Sequence, residues 1–177
     1  MSEVEKITST VRQIGFRCRR CGECCQGNGL RVMVYPEEVR AIALHSGRSW
    51  REVAEPYPEE VVLPSGTKCS FEWALRITDG RCLFLEDGRC QVYPVRPWIC
   101  RTYPFVLEGS SVQQSACPGV GDPMEESDAC LLAQNLIGRR EAEEKEEERV
   151  RENGRDLEQV RARHILVDGE GVKILEA

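Results

Sequence analysis

Ten cysteines in 177 residues are the side chains here that could do chemistry. Four fall within eight residues, as Cys18-Arg19-Arg20-Cys21-Gly22-Glu23-Cys24-Cys25. A Cys-x-x-Cys pair lets two thiolates face one ion while the intervening amides point at the sulfurs. A glycine after the second cysteine permits the backbone turn common in metal knuckles. One such pair is a weak signal; four cysteines at this density are a strong one. Adjacent side chains diverge, so Cys24 and Cys25 either serve different ions or only one of them ligates. The remaining ligands must come from afar. Cys82, Cys90, Cys100 and Cys117 are the candidates, each beside a turn or a proline that could hold a ligand still. With Cys18, Cys21, Cys24 and Cys25 they make eight metal-ligand candidates, enough for two four-sulfur sites.

Soft, all-sulfur ligation selects zinc or iron–sulfur chemistry over magnesium or calcium. The knuckle form and the division of eight ligands into two closed sites favour Zn2+. The Cys18-x-x-Cys21-x-x-Cys24 run matches the triple spacing of bacterial ferredoxins, with Cys117-Pro118 as a distant fourth ligand, and keeps an Fe–S cluster as the alternative. Basic residues crowd the sulfurs. Arg17, Arg20, Lys68, Arg81 and Arg89 each directly precede a cysteine, and Arg101 follows Cys100. Nearby cations favour the thiolate, the metal-binding form. Arg96 and Arg101 neutralise thiolates and brace the loop around Cys100, in a position where they could also take an anion or carboxylate. Cys69 and Cys130 read as buried structural thiols. His45 and His164, the two histidines, read as neither ligand nor base. Trp50, Trp73 and Trp98 read as core. No phosphate loop, dinucleotide fingerprint or serine-nucleophile elbow is present.

The elements that must position these residues are short. Residues 1–17 form a leader with Val4, Ile7, Val11 and Ile14 at helical spacing. Gln26-Gly27-Asn28-Gly29 is a turn, followed by a strand from Leu30 to Val34. Pro36-Glu37-Glu38 opens a helix that stops at Gly47, and Ser49-x-x-Glu52 is a capping box for a second short helix. Residues 56–68 read as loop. Three strand-like pieces follow, Trp73–Thr78, Cys82–Leu85 and Cys90–Tyr93, separated by Asp79-Gly80 and Asp87-Gly88, which signal hairpins. Residues 92–105 hold three prolines and read as an irregular segment. Ala129, Leu132, Ala133, Leu136 and Ile137 form one apolar helix face. Residues 139–152 are almost all charged and read as a solvated helix with Glu141/Lys145 and Glu147/Arg151 pairs. A C-terminal hairpin turns at Asp168-Gly169-Glu170-Gly171.

Hydrophobic residues make up 41% of the chain, enough for a core, and the net charge is −6 with a pI near 5.2. Such a balance disfavours general nucleic-acid binding. No secretory signal or membrane-spanning run is visible, which predicts a cytoplasmic protein with no membrane partner. In a reducing compartment cysteines read as metal ligands or reactive thiols rather than as a disulfide framework.

Several separated motifs resemble one family. Phe16-x-Cys18-x-x-Cys21-Gly22-x-Cys24-Cys25 is similar to the opening motif of the YkgJ-type CxxCxxCC cysteine-cluster family of zinc- or iron-chelating domains. Cys82-x-Phe84-Leu85, Asp87-Gly88-Arg89-Cys90-x-Val92-Tyr93 and Arg96-Pro97-x-x-Cys100-Arg101-x-Tyr103-Pro104-Phe105 resemble its second block, and Cys117-Pro118-Gly119 its last element. The likeness covers roughly residues 16–121. It implies metal chelation and no settled reaction; some relatives accompany protein methylation, although no methyl-donor motif is recognisable here. The expectation is an α+β protein: a small irregular metal-stabilised domain with short β-hairpins and several helices. Residues 1–137 would form the cysteine-cluster domain, and 138–177 a charged helix with the hairpin as an appendage. Two functions remain open. One is a thiolate metal-binding protein, structural or handling metal, with a protein partner. The other is an iron–sulfur redox or protein-modifying enzyme or its accessory subunit.

Overall fold

The computed structural model describes residues 1–27 and 31–176. Helix α1 (Glu3–Ile14) opens the chain. After a single 3-10 turn at Glu23–Cys25 come β1 (Met33–Val34), α2 (Pro36–Ser46), α3 (Trp50–Val53), β2 (Ala54–Pro56), β3 (Glu60–Val62), β4 (Lys68–Phe71) and β5 (Trp73–Leu75). Two small hairpins follow, β6 (Ile77–Thr78) with β7 (Arg81–Cys82) and β8 (Leu85–Glu86) with β9 (Arg89–Cys90). A 3-10 turn at Tyr93–Val95 and α4 (Trp98–Thr102) lead to the hairpin β10 (Phe105–Glu108) and β11 (Ser111–Gln114). The long α5 (Glu126–Asn153) precedes the closing hairpin β12 (His164–Asp168) and β13 (Gly171–Glu176). Helices and small, mostly antiparallel sheets make the fold α+β.

The residues predicted as a leader form a core helix. Ser2 caps α1, its Oγ accepting from Glu5 N while Ser2 N donates to the Glu5 carboxylate. The apolar stripe of α1 packs on α5: Ile7 and Val11 are buried with Phe105, Ala129, Leu132, Ala133 and Leu136. Full burial of side chains this size contributes about 1.5–3 kcal/mol each. The predicted apolar face of α5 is therefore the one that packs.

A second core holds the sheet β1-β5-β2 together with α2, α3 and the small hairpins, through Val34, Val39, Ile42, Val53, Leu75 and Phe84. Gly47, in the left-handed conformation, ends α2, and Ser49 with Glu52 caps α3, both as predicted. The expected strand Trp73–Thr78 breaks at Arg76, whose N–H donates to Val53 O. Asp79-Gly80 and Asp87-Gly88 turn the two hairpins with positive φ at all four residues. Of the expected strand Leu30–Val34, only Met33–Val34 forms strand, as β1, among the described residues; Leu30 and half of the predicted Gln26–Gly29 turn lie outside them.

The third core belongs to a four-stranded sheet in the order β13-β12-β4-β3, in which β12 runs parallel to β4. Cys69, Ile165 and Val167 are buried there with Leu157. β3 arises within the stretch that reads as loop. It is an edge strand whose Val61 and Val62 stay exposed, so its backbone pairing leaves no alternation of burial to detect. The charged half of α5 is helical as expected, but one of its acids is not solvated. Glu146 is buried and accepts from Gly169 N at 2.7 Å. Glu147–Arg151 closes at 3.2 Å and Arg139–Glu143 at 2.6 Å; among the described residues Glu141 and Lys145 make no ion pair.

Candidate metal centre

Four chain segments bring the eight candidate cysteines to one region: the loop 18–25, the hairpins at Cys82 and Cys90, α4 at Cys100, and the segment after β11 at Cys117. Two adjoining cavities open between them. The larger, about 180 Å3, is lined by Cys18, Cys24, Cys25, Cys82, Cys90 and Cys100. The smaller, about 60 Å3, is lined by Cys18, Cys21, Cys24, Cys100 and Cys117. All ten cysteines are free thiols. Among the described residues, no three cysteine, histidine, aspartate or glutamate side chains stand in an arrangement that could hold one metal ion. The thiols line the cavities rather than already converging on a point.

Each segment is anchored by bonds that do not involve sulfur. Phe16 bridges Val120, and Arg17 N donates to Gly119 O at 3.0 Å, which sets Cys18 beside Cys117. Gly119 is required there: a Cβ would lie 2.1 Å from Arg17 O. The Arg19 guanidinium forks onto Asp122 through Nε and Nη2, at 3.2 and 3.0 Å. Gly22 is left-handed at φ +75°, as the knuckle reading predicts, and its carbonyl accepts from Cys25 N. A Cβ on Gly22 would also meet Leu85 Cδ1 at 2.9 Å. Gln26 bridges Arg81 and Gly27 N donates to Gly80 O, which ties the loop to the hairpin carrying Cys82.

The fourth anchor is Glu38, which sequence reasoning places only in the acidic first turn of α2. Its carboxylate is buried. One oxygen accepts from Tyr35 N at 3.0 Å and the other from Trp98 N at 2.7 Å. It thus fixes the start of α4 and, two residues on, Cys100. Burial pushes the Glu38 carboxyl up, against the two amides and Arg101, which pull it down. The exit of α4 is held by Tyr103, whose hydroxyl donates to Ala116 O at 2.6 Å. No local signal marks Glu38 or Tyr103, because each acts on a segment distant in sequence.

The thiols sense one another. Burial raises Cys82, Cys90 and Cys100, and neighbouring thiols add to it: Cys90 and Cys24 for Cys82, Cys24 and Cys18 for Cys90, Cys82 and Cys24 for Cys100. Cys24 and Cys25, expected to diverge, instead stand 3.7 Å apart, sulfur to sulfur. That contact pulls the Cys24 thiol down and, together with burial, pushes the Cys25 thiol up. Arg96 also favours the Cys24 and Cys90 thiolates. A dication would reverse the upward shifts, since coordination deprotonates a thiol outright. The donor set, all sulfur and clustered at two recesses, suits a soft metal.

The two outlying cysteines sit elsewhere. Cys69 is fully buried in β4, and burial raises its thiol. Cys130 is half-buried in the groove between α1 and α5. His45 is exposed on α2, while His164 shares a 2.8 Å hydrogen bond with Ser70 Oγ. Trp50 and Trp73 meet edge to face with centroids 5.4 Å apart, as core tryptophans. No helix is long and apolar enough to cross a membrane, among the described residues.

Among curated proteins, the chain is 28% identical over 105 residues to an uncharacterized protein, MJ0661, of Methanocaldococcus jannaschii. The matched region is 58% of this chain and 52% of that protein, so the likeness spans about half of the relative's length. No solved structure matches. Residues 17–118 match the CxxCxxCC family, whose description reads "Putative zinc- or iron-chelating domain"; the match takes in more than half of the chain and all eight lining cysteines, and the chain belongs to that family.

Proposed function

We propose that the chain is a thiolate metal-binding protein that holds zinc through Cys18, Cys21, Cys24, Cys25, Cys82, Cys90, Cys100 and Cys117. The observation that carries this reading is that these eight sulfurs, drawn from four separate segments, line two adjoining cavities while Cys69 and Cys130 do not. The cavities suggest the division of ligands. Cys25, Cys82 and Cys90 line only the larger and Cys21 and Cys117 only the smaller, with Cys18, Cys24 and Cys100 between them. A grouping of Cys25, Cys82, Cys90 and Cys100 against Cys18, Cys21, Cys24 and Cys117 gives each of the vicinal cysteines its own ion.

Bound zinc would cross-link the four segments and neutralise thiolates that burial otherwise keeps protonated. The chain's own contribution is to position the sulfurs: Gly22 turns the loop, Glu38 fixes α4, and Arg19 and Gly119 hold the Cys18 and Cys117 segments together. The metal is then mainly structural, or serves metal handling or the binding of a protein partner, in a cytoplasmic setting. The Cys18-x-x-Cys21-x-x-Cys24 spacing favours a second reading, an iron–sulfur protein acting in redox or protein-modifying chemistry. Elemental analysis and a visible spectrum of protein purified without oxygen test both. A colourless protein with two zinc ions per chain is expected. A brown protein bleached by dithionite would replace zinc by a cluster, and a metal-free, folded protein would overturn both readings.

A further inference from the structure

The cavity system continues beyond the thiols. A third recess, of about 300 Å3, shares Phe16, Cys18, Arg20, Tyr93, Arg96 and Arg101 with the larger thiol cavity and runs on to the first turns of α5. Four arginines line it: Arg17, Arg20, Arg96 and Arg101. One carboxylate, Asp128, lines it with them. Arg12, Arg19, Arg40, Arg76, Arg139, Arg140 and Arg151 are all paired with a carboxylate elsewhere in the fold. Among the described residues, none of the four in the recess makes such a pair.

Their positions are held by neutral groups instead. The Tyr93 ring lies beneath both the Arg96 guanidinium, at 3.7 Å from its centroid, and that of Arg20, at 4.5 Å. Arg101 lies 5.1 Å from the Trp98 ring, and its Nε donates to Arg96 O at 2.6 Å. Cation–π contact fixes where a guanidinium sits without cancelling its charge. Arg96 Nε is buried and has no hydrogen-bond partner among the described residues, although a buried charged donor is costly to leave unmet. Arg96 favours the Cys24 and Cys90 thiolates, and Arg20 and Arg101 line the larger thiol cavity with it. Arg17 lines this recess and neither thiol cavity. α5 lines the recess with Asp128, Leu131, Leu132 and Asn135, and Leu131 is 57% exposed despite its size.

We propose that this recess binds a small oxyanion, a carboxylate or a phosphate monoester, that carries an apolar group. The charged end meets the arginines, whose planar forks match two oxygens at once. The apolar end covers the exposed Leu131. Because the recess joins the thiol cavity at Cys18, the occupant sits beside the sulfurs. Apart from Cys18, which lines both, the site stands on residues outside the proposed ligand set.

Calorimetric titration of the full chain, as purified with its metal and at low salt, tests this with benzoate, phenyl phosphate, inorganic phosphate and benzyl alcohol. The expected result is one site per chain for benzoate or phenyl phosphate. Inorganic phosphate should bind at least tenfold more weakly, and benzyl alcohol should give no heat. Comparing benzoate with phenyl phosphate identifies the head group. The Arg96→Gln/Arg101→Gln variant should lose at least tenfold in affinity. Arg17→Gln/Arg20→Gln, at exposed positions that a melt can show to be folded, should lose at least threefold. Absence of binding by the wild type, equal affinity for phosphate and phenyl phosphate, or undiminished binding in Arg17→Gln/Arg20→Gln would each overturn the assignment. Elemental analysis of the same samples reports on the cysteines separately.

Discussion

Replacing Glu38 by alanine should loosen α4 and the sulfur it carries. The buried carboxylate accepts two backbone N–H groups, from Tyr35 at 3.0 Å and from Trp98 at 2.7 Å. A hydrogen bond to a charged group contributes about 1.5–3 kcal/mol, and stranding a buried donor costs about 1–3 kcal/mol. Part of the loss is returned, because burial raises the Glu38 carboxyl and its charge is itself costly to hold. The net expectation is a loss of about 2–4 kcal/mol. At 1.4 kcal/mol per factor of ten, local opening at α4 becomes roughly 30- to 700-fold more frequent. Hydrogen exchange by mass spectrometry on peptides spanning Trp98–Tyr103 measures this directly, with urea unfolding giving the global change. The two outcomes separate the roles of the side chain. If global stability falls while exchange in 98–103 changes less than threefold, Glu38 serves α2 alone and the account of how Cys100 is positioned is wrong.

Cys21→Ala or Cys100→Ala should each lower the zinc content and melting temperature, whereas Cys69→Ala and Cys130→Ala should leave the metal stoichiometry unchanged, measured by elemental analysis and calorimetry. Strong chelation should lower exchange protection in residues 77–104, without removing what the sulfur-free anchors supply, and spare the α1–α5 pair, whose apolar cluster is its own, as mass-resolved hydrogen exchange would report. Gly22→Ala should cost about 1–2 kcal/mol for the left-handed backbone, plus the displacement of Leu85, readable as a lower midpoint in urea. Glu72 Oε2 is buried without a hydrogen-bond partner among the described residues, and burial first, then the Glu146 and Asp168 carboxylates, pushes its carboxyl up to about 7 from an ordinary value near 4.5. The folded chain then binds the extra proton between those values, so the stabilisation is complete below 4.5 and lost as pH rises through 7. Relative to Glu72→Gln, the wild type should lose about 1–2 kcal/mol between pH 5 and 8, after discounting for solvent at a half-buried group; urea midpoints that track each other across that range would refute it.

Much of this was legible because it is local. The spacing of Ile7 and Val11, the Ser49–Glu52 cap, the Gly47 stop, the two Asp-Gly turns and the left-handed Gly22 each follow from residues a few positions apart. What stayed hidden was non-local. Nothing near Glu38 says that it reaches Trp98, and nothing in residues 164–168 says that they run parallel to 68–71. Charge without context misleads as well. Glu146 looks like its neighbours in the charged run, yet it is buried against Gly169, close enough that a Cβ there would collide with the carboxylate. The cysteines were legible as a set, while their division between two cavities depends on where α4 and the hairpins lie. The four arginines read as counter-charges to the thiolates; only the fold shows that they also line a further recess together.

Two features of the centre pull in opposite directions, and together they say how it works. A neutral thiol is a small apolar group, so Cys25, Cys90 and Cys100 pack against the core at little cost. Ionising several of them in one recess is opposed by burial and by mutual repulsion, as the raised Cys82, Cys90 and Cys100 attest. The anchors around them contain no sulfur: Arg19 on Asp122, Tyr103 on Ala116, Gly27 on Gly80, Glu38 on Trp98. The segments are thus held near one another before any thiol is charged, and the free energy that a cation releases goes into drawing sulfurs inward over short distances. Since those anchors and the proposed ligands belong to different residues, their contributions to metal affinity should be separable. Glu38→Ala weakens retention by loosening the approach of one sulfur, whereas Cys100→Ala removes that sulfur altogether. The double variant should therefore bind metal no more weakly than Cys100→Ala alone, and a further additive loss would mean that Glu38 acts on the centre by a route other than α4.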